Sequence, residues 1–269
     1  MKKRLLILII AVLAMGSIIV FAASKKISKI MQTASHSSAR LLSGQARSLE
    51  AKGKEYEAKL LYQKLVNDFP ESPEVMDWQK KTEEINIKLL FSPVLTPKSI
   101  IYQIRPGDTL DKIAREHKTT TELIMKSNNI VDALIIPGRK IKVQSLPFSI
   151  LVDKSQNILL LKNNEEVIKS YIVSTGKNNC TPVGTFKIVN KLPNPTWFKA
   201  GAVVPPESAQ NVLGTRWLGF DLAGYGIHGT TEPKELGKQV TQGCVRLGNA
   251  DVEELYSIVP VGTEVTIIE

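Results

Sequence analysis

The sequence predicts a multidomain chain with a mainly β domain at the C-terminus. A small α+β (βααβ) module precedes that domain, and an α-helical N-terminal segment lies behind a membrane anchor. Three observations predict this. The length, 269 residues, suits two or three modest domains. Apolar residues recur every three or four positions between about Ala34 and Leu90, whereas short alternating runs broken by turn residues fill the chain from Phe148 onward. An uncharged 19-residue stretch, Leu5–Ala23, follows the basic Met1–Arg4.

Composition narrows the function classes. A hydrophobic fraction of 43% supports packed cores, and with 6% aromatics it excludes a disordered or collagen-like chain. Two cysteines cannot make a disulfide framework or a four-cysteine zinc site. The net charge of +9 raises nucleic acid as a partner, but its distribution argues otherwise. Residues 1–98 carry +7, residues 99–146 carry +3 and residues 147–269 carry −1. A nucleic-acid enzyme places its basic surface where it reads or reacts, so no nucleic-acid partner is expected.

As a helix, Leu5–Ala23 would cover about 28 Å, close to the bilayer hydrocarbon thickness. Residues 1–24 are therefore read as a membrane anchor, with a removed signal sequence as the alternative, since Val20-Phe21-Ala22 before Ala23 has the small-residue character of a cleavage site. Either reading puts the remainder outside the cytoplasm, in the periplasm or cell wall. Over residues 34–91, Ala58, Leu61, Tyr62, Leu65, Val66 and Phe69 form one helical stripe, and Val75, Trp78, Thr82 and Ile85 form another after Pro70, Ser72 and Pro73. This segment resembles one tetratricopeptide-type hairpin, and a plain helical spacer explains it equally well. Pro93 and Pro97 mark residues 92–98 as a linker.

Residues 99–145 read as a strand, a Pro-Gly turn, a helix capped by Asp108 or Thr109, and a second helix after Thr119–Thr121 that ends near Asn128-Asn129. A turn and a strand follow over Ile136–Val143. With Gly107-Asp108-Thr109-Leu110, Asn128 and Pro137-Gly138 in register, the segment resembles a LysM module. The resemblance implies binding of peptidoglycan or chitin-like glycan strands, with Gly107, Asp108, Thr109, Asn128 and Pro137 as candidate contacts. The competing reading makes these residues the turns and caps of the mini-fold.

Residues 147–269 carry the chemistry. Strands are expected at Ser149–Val152, Ile158–Leu161, Val167–Val173, Gly184–Val189 and Glu264–Ile268, with hairpin turns at Lys154–Asn157 and Asn163-Asn164 and a helix at Asp251–Ile258. His228 is the only histidine after residue 117, and Cys244 lies 16 positions beyond it. Fully extended, that segment would separate the two by about 50 Å, so pairing requires the chain to turn back, with bends at Gly229, Pro233 and Gly237. A neutral thiol is a poor nucleophile, and an imidazole beside it can take its proton and hold it for a leaving amine. Such a site also needs donors for an oxyanion, for which the amides of Gly243 and Cys244 are candidates. No carboxylate has an obvious claim to orient the imidazole, so a backbone carbonyl is expected there.

Tyr225-Gly-Ile-His-Gly-Thr230, Leu236-Gly237 and Thr241-Gln-Gly-Cys-Val-Arg-Leu247 resemble the signature of the L,D-transpeptidase (YkuD-type) catalytic domain. Ser174-Thr-Gly176, Thr181–Phe186, Asn211–Gly214 and Arg216-Trp217 support the match. The resemblance implies Cys244 as nucleophile, His228 as base and the Gly229 carbonyl as third member. It also implies a peptidoglycan L,D-transpeptidase that releases the terminal D-alanine of a tetrapeptide stem and forms 3→3 cross-links, or hydrolyses the thioester as an L,D-carboxypeptidase. Many members carry a second histidine where this chain has Gln242, which can hydrogen-bond but cannot carry a proton.

Arg246, Thr241, Gln242, Tyr225 and Trp197 are candidate substrate contacts. Arg246 has bracing of the nucleophile loop as its alternative, Trp197 has packing, and Thr241 has a structural hydroxyl role. Cys180 reads as an incidental loop cysteine, with a silencing disulfide to Cys244 as the alternative. No metal or organic cofactor is expected. A papain-like peptidase would place its cysteine before its histidine, and a sortase would space the pair far more widely. A non-catalytic wall-binding scaffold is opposed by the intact Cys244 and His228.

Overall fold

The computed structural model describes residues 36–132, 134–144, 147–199 and 201–269. The apolar stretch 5–23, expected to anchor or export the chain, lies outside them. Among the described residues no helix is long and apolar enough to cross a membrane. The chain divides at Thr82/Glu83 into two compact units.

The first unit is helical. Helix α1 spans 36–51, α2 spans Glu55–Asp68, and α3, Val75–Leu90, begins in this unit and runs into the second. The expected pair of helices is thus preceded by a third, because Gly53 turns the chain at φ +69° between α1 and α2. Ala46, Ala58, Tyr62 and Leu65 are buried here, and Tyr62 Oη donates to Glu50 at 3.1 Å.

The second unit begins with the end of α3 and contains both remaining domains. Strand β1 (Ser99–Gln103), α4 (Leu110–Glu116), α5 (Thr121–Ser127) and β2 (Lys140–Gln144) come in the expected order, with β1 antiparallel to β2. Thr109 and Thr120 cap α4 and α5, each accepting a main-chain N–H three residues on. A small core of Ile104, Leu110, Ile113, Ile124, Ile141 and Val143 closes the module.

The linker is pinned rather than loose. Buried Lys142 on β2 donates to the carbonyls of Leu89, Ser92 and Val94 at 2.7, 2.9 and 2.6 Å. The module is also fastened to the C-terminal domain. Thr120 Oγ1 donates to the Ser257 carbonyl, Lys126 Nζ bonds Ser257 Oγ at 2.9 Å, and Leu123 joins the large core of that domain.

The C-terminal domain runs β3 (Phe148–Asp153), β4 (Ile158–Asn163), β5 (Glu166–Ile172), β6 (Thr175–Gly176), β7 (Gly184–Pro193), β8 (Trp197–Lys199), β9 (Ala202–Val204), β10 (Arg216–Phe220), β11 (Gly226–His228), β12 (Gln239–Thr241), β13 (Val245–Arg246), α6 (Asn249–Ile258) and β14 (Glu264–Ile268). Eight strands form one sheet in the order β13-β11-β10-β7-β14-β3-β4-β5, while β8 pairs with β9 and β12 with β6. Alternation drives the pairing: Phe148, Ile150 and Val152 of β3 and Leu159 and Leu161 of β4 all point into the core. Asn157 and Asn164 take left-handed φ values of 53° at the two expected hairpin turns. Helix α6 buries Val252, Leu255 and Ile258 in the same core. Each such side chain contributes about 1.5–3 kcal/mol relative to exposure.

Candidate active site

The site forms where β11 and β13 run side by side. Their pairing is parallel, Ile227 opposite Val245 and His228 opposite Arg246, and not the simple return that the spacing suggests. A parallel neighbour needs a crossover, which residues 229–244 supply. Because side chains alternate along a strand, the pair Ile227 and Val245 enters the core, both fully buried. His228 and Arg246 face the other way. Cys244, one residue before β13, lines the same cavity as His228, and its Sγ lies 3.6 Å from the Gly224 carbonyl oxygen. Strand β10 adds Trp217 opposite His228, the rings stacked 6.0 Å apart at 20°.

His228 is buried at 3% exposure, and its Nδ1 lies 2.7 Å from the Gly229 carbonyl oxygen. A carbonyl only accepts, so Nδ1 carries the proton and Nε2 keeps its lone pair. Burial pushes the imidazole pKa down to about 4, with the nearby Arg246 charge a smaller contribution in the same direction. Burial likewise raises the Cys244 thiol above its ordinary value. The resting pair is therefore a neutral thiol beside a neutral imidazole.

Both groups line a cavity of about 480 Å³ whose walls include Leu192, Trp197, Phe198, Leu213, Trp217, Val240 and Gln242. Trp197 thus stands in the cavity wall. Gln242, in the position of the second histidine, is exposed at the cavity edge.

The turn before Cys244 is built by Thr241. Its hydroxyl donates to the Cys244 carbonyl at 2.7 Å and accepts the Gly243 N–H at 3.2 Å. The Gly243 N–H, a candidate oxyanion donor, is thus engaged by Thr241 in this structure. Gly243 is required for another reason: at φ +122° a Cβ would stand 2.6 Å from the Tyr225 ring. The Tyr225 ring therefore packs against the turn at Gly243.

Arg246, 7% exposed, pairs through Nη1 with Glu232 at 3.3 Å and Glu235 at 3.0 Å. These carboxylates belong to the crossover, so Arg246 braces that loop against β13, while its buried Nε has no hydrogen-bond partner. Cys180 and Cys244 are both free thiols in this structure, and Cys180 Sγ lies 3.9 Å from the Thr241 carbonyl of the turn before Cys244.

In the small module the candidate glycan contacts divide. Asp108 accepts from Tyr102 Oη and the Arg105 N–H, both at 2.8 Å, and these bonds hold its carboxyl below the ordinary range. Thr109 caps α4. Asn128 donates to the Ile124 and Lys142 carbonyls at 2.8 Å and accepts the Lys142 N–H at 2.7 Å. These three side chains hydrogen-bond within the module, and Thr109 is also exposed. Gly107 and Pro137 remain exposed, as do Val131, Leu134 and Ile136 nearby. Sequence reasoning missed Asn249, Trp217 as the ring over His228, and Glu232 and Glu235 as partners of Arg246. The Gly248-Asn249 step ahead of a helix was the available signal for the first.

A mainly β domain thus sets a buried histidine and a cysteine in the lining of one cavity with aromatic walls. The family profile of the L,D-transpeptidase catalytic domain (YkuD) matches residues 147–267, and that of the LysM domain matches 102–144. The putative L,D-transpeptidase YkuD of Bacillus licheniformis is 36% identical over 177 residues, covering 62% of this chain and 98% of that protein. Its Bacillus subtilis counterpart is 36% identical over 175 residues with the same coverage, 62% and 98%. The putative L,D-transpeptidase YqjB of Bacillus subtilis is 39% identical over 126 residues, covering 45% of this chain and 70% of that one. The chain belongs to the YkuD-type L,D-transpeptidase family and carries a LysM domain ahead of the catalytic domain.

Proposed function

We propose that the protein is an extracytoplasmic peptidoglycan L,D-transpeptidase working through a thioester on Cys244. The observation that supports this is the one cavity that Cys244 and His228 both line, with the Gly229 carbonyl on Nδ1 leaving Nε2 able to accept a proton. As the third stem residue arrives, the Cys244 proton passes to Nε2 and the sulfur attacks the carbonyl carbon. The Cys244 amide is the donor proposed for the oxyanion. Collapse breaks the bond to the terminal D-alanine, whose nitrogen leaves with the proton held by His228. An amine from a neighbouring stem then attacks the thioester, gives its proton to the imidazole and displaces the sulfur, which takes the proton back. A 3→3 cross-link results, and water as acceptor gives L,D-carboxypeptidase activity instead.

Trp197, Gln242 and the Arg246 Nε are the proposed substrate contacts, and Gly243 and Thr241 shape the turn. Residues 99–145 bind glycan through the exposed surface around Gly107 and Pro137, residues 5–23 hold the chain at the membrane, and residues 34–91 space the domains from it. Incubation of the purified chain with tetrapeptide muropeptides tests the reading. Release of D-alanine with formation of a tripeptide or a 3→3 dimer is expected, and absence of any D-alanine release overturns it. Deleting residues 99–145 is expected to weaken co-sedimentation with peptidoglycan sacculi.

A further inference from the structure

His228 is only as well placed as the peptide group that faces its Nδ1. That group joins Gly229 to Thr230. Its carbonyl oxygen lies 2.7 Å from Nδ1, and its N–H, on the opposite edge of the same planar trans unit, donates to Asn249 Oδ1 at 3.0 Å. The same Oδ1 accepts the Thr215 N–H at 3.3 Å. Asn249 is the first residue of α6, a helix packed into the core, so its side chain starts from a rigid base.

Two glycines admit the Asn249 oxygen. A Cβ on Gly229 would stand 2.2 Å from Oδ1, and one on Gly214, which also has φ +62°, would stand 2.3 Å from it. Both positions are therefore closed to other residues while Asn249 occupies the slot. This explains the Gly214 and Gly229 positions of the signature through one shared neighbour.

We propose that Asn249 is a positioning residue for His228, its side-chain oxygen holding the Gly229–Thr230 peptide in the orientation that presents the Gly229 carbonyl to Nδ1. The inference rests on the reading of His228 as the base. Glycine has the widest backbone freedom of any residue, so without an anchor on its far edge this peptide could rotate and carry the carbonyl away from the ring. A hydrogen bond at the N–H end also polarises the carbonyl and strengthens it as an acceptor. The Nδ1–H tautomer is thereby favoured, and the bond becomes charge-assisted at the moment Nε2 takes the thiol proton. The bond to Thr215 extends the same hold to the segment entering β10, whose Trp217 covers a face of the imidazole. The other groups facing His228 are Arg246 on β13 and Cys244 before it, with Glu232 and Glu235 beyond the guanidinium.

The test compares Asn249→Ala, which removes the acceptor, with Asn249→Asp, which keeps it, in the full chain. Three readouts apply: kcat and KM on tetrapeptide muropeptides, thermal unfolding, and the pH profile of Cys244 alkylation by iodoacetamide, quantified at the Cys244 peptide by mass spectrometry. Asn249→Ala is expected to lower kcat about 10- to 100-fold with KM within about twofold, as for a displaced general base. Its alkylation profile should move towards that of His228→Ala, while Asn249→Asp should stay within about threefold of wild type because a carboxylate accepts the same N–H groups. If Asn249→Ala does not fold, Asn249→Ser, whose hydroxyl is too short to hold both N–H groups, takes its place. A wild-type alkylation profile in the folded Ala or Ser variant, or equal loss in the Ala and Asp variants, overturns the proposal. Alkylation needs no peptidoglycan, so an altered profile supports Asn249 even where turnover is absent, and absent turnover counts against the transpeptidase reading alone.

Discussion

The LysM domain and the catalytic domain treat their signature polar residues in opposite ways. In the LysM domain the side chains of Asp108, Thr109 and Asn128 hydrogen-bond to groups of the module itself. In the catalytic domain His228, Cys244 and Gln242 converge on a cavity, and the main chain is held by other residues, Thr241 and Asn249. The difference follows from size. A module of about 45 residues has little core, so its polar side chains must serve the fold, and ligand contact falls to exposed loops and apolar side chains. A domain with a large core can release polar groups to a site because buried strands already fix the backbone.

The comparison can be broken by substitution. Cys244→Ala and His228→Ala are expected to produce the largest effect, a loss of turnover of about a thousandfold or more. Cys244→Ala should leave the melting temperature nearly unchanged, whereas His228→Ala, which empties a buried site, should lower it as well. Asn128→Ala should do the reverse. It removes the acceptor of the Lys142 N–H and a donor to the Ile124 and Lys142 carbonyls, costing about 2–3 kcal/mol in thermal or chemical unfolding, while turnover of soluble muropeptides in the folded protein is retained. Equal behaviour of the two classes would erase the distinction.

A pH titration sharpens it. The folded pKa of His228 is about 4, against 6.5 for the free side chain, so the unfolded chain binds the extra proton first as pH falls. The contribution of the neutral imidazole to stability is complete above about pH 6.5, is lost between about 6.5 and 4, and changes no further below that. His228→Gln should flatten this part of the stability profile measured by denaturant unfolding. The smallest effect belongs to Cys180→Ser: Cys180 is exposed, and activity is expected to stay within about twofold of wild type.

Periodic elements were legible in the sequence because one residue pattern served one packing face. Strands β3, β4, β5 and β14 and the asparagine hairpins between them follow directly from alternation and turn chemistry. Strand β10 was not legible. Its run Arg216-Trp-Leu-Gly-Phe220 contains a glycine, and the residue it turns to the site, Trp217, is apolar, so the run shows no clean polar alternation. The parallel pairing of β11 with β13 was hidden for a related reason, since both strands are two or three residues long and only the crossover decides their direction. The Cys/His pair was readable from its motif. Bracing by Arg246 was legible as one of two readings, but its partners Glu232 and Glu235 became visible only when folding brought them onto its guanidinium, and Asn249 only when Gly214 and Gly229 met across 15 residues.

The account centres on a covalent acyl group at Cys244. Its most direct test is the intact mass of the protein, followed by peptide mapping, after brief exposure to a tetrapeptide muropeptide without an acceptor amine. The expected result is a mass increase equal to the muropeptide less D-alanine, located on Cys244, absent from Cys244→Ala and retained in Cys180→Ser. An adduct on Cys180, or full turnover by Cys244→Ala, would contradict it.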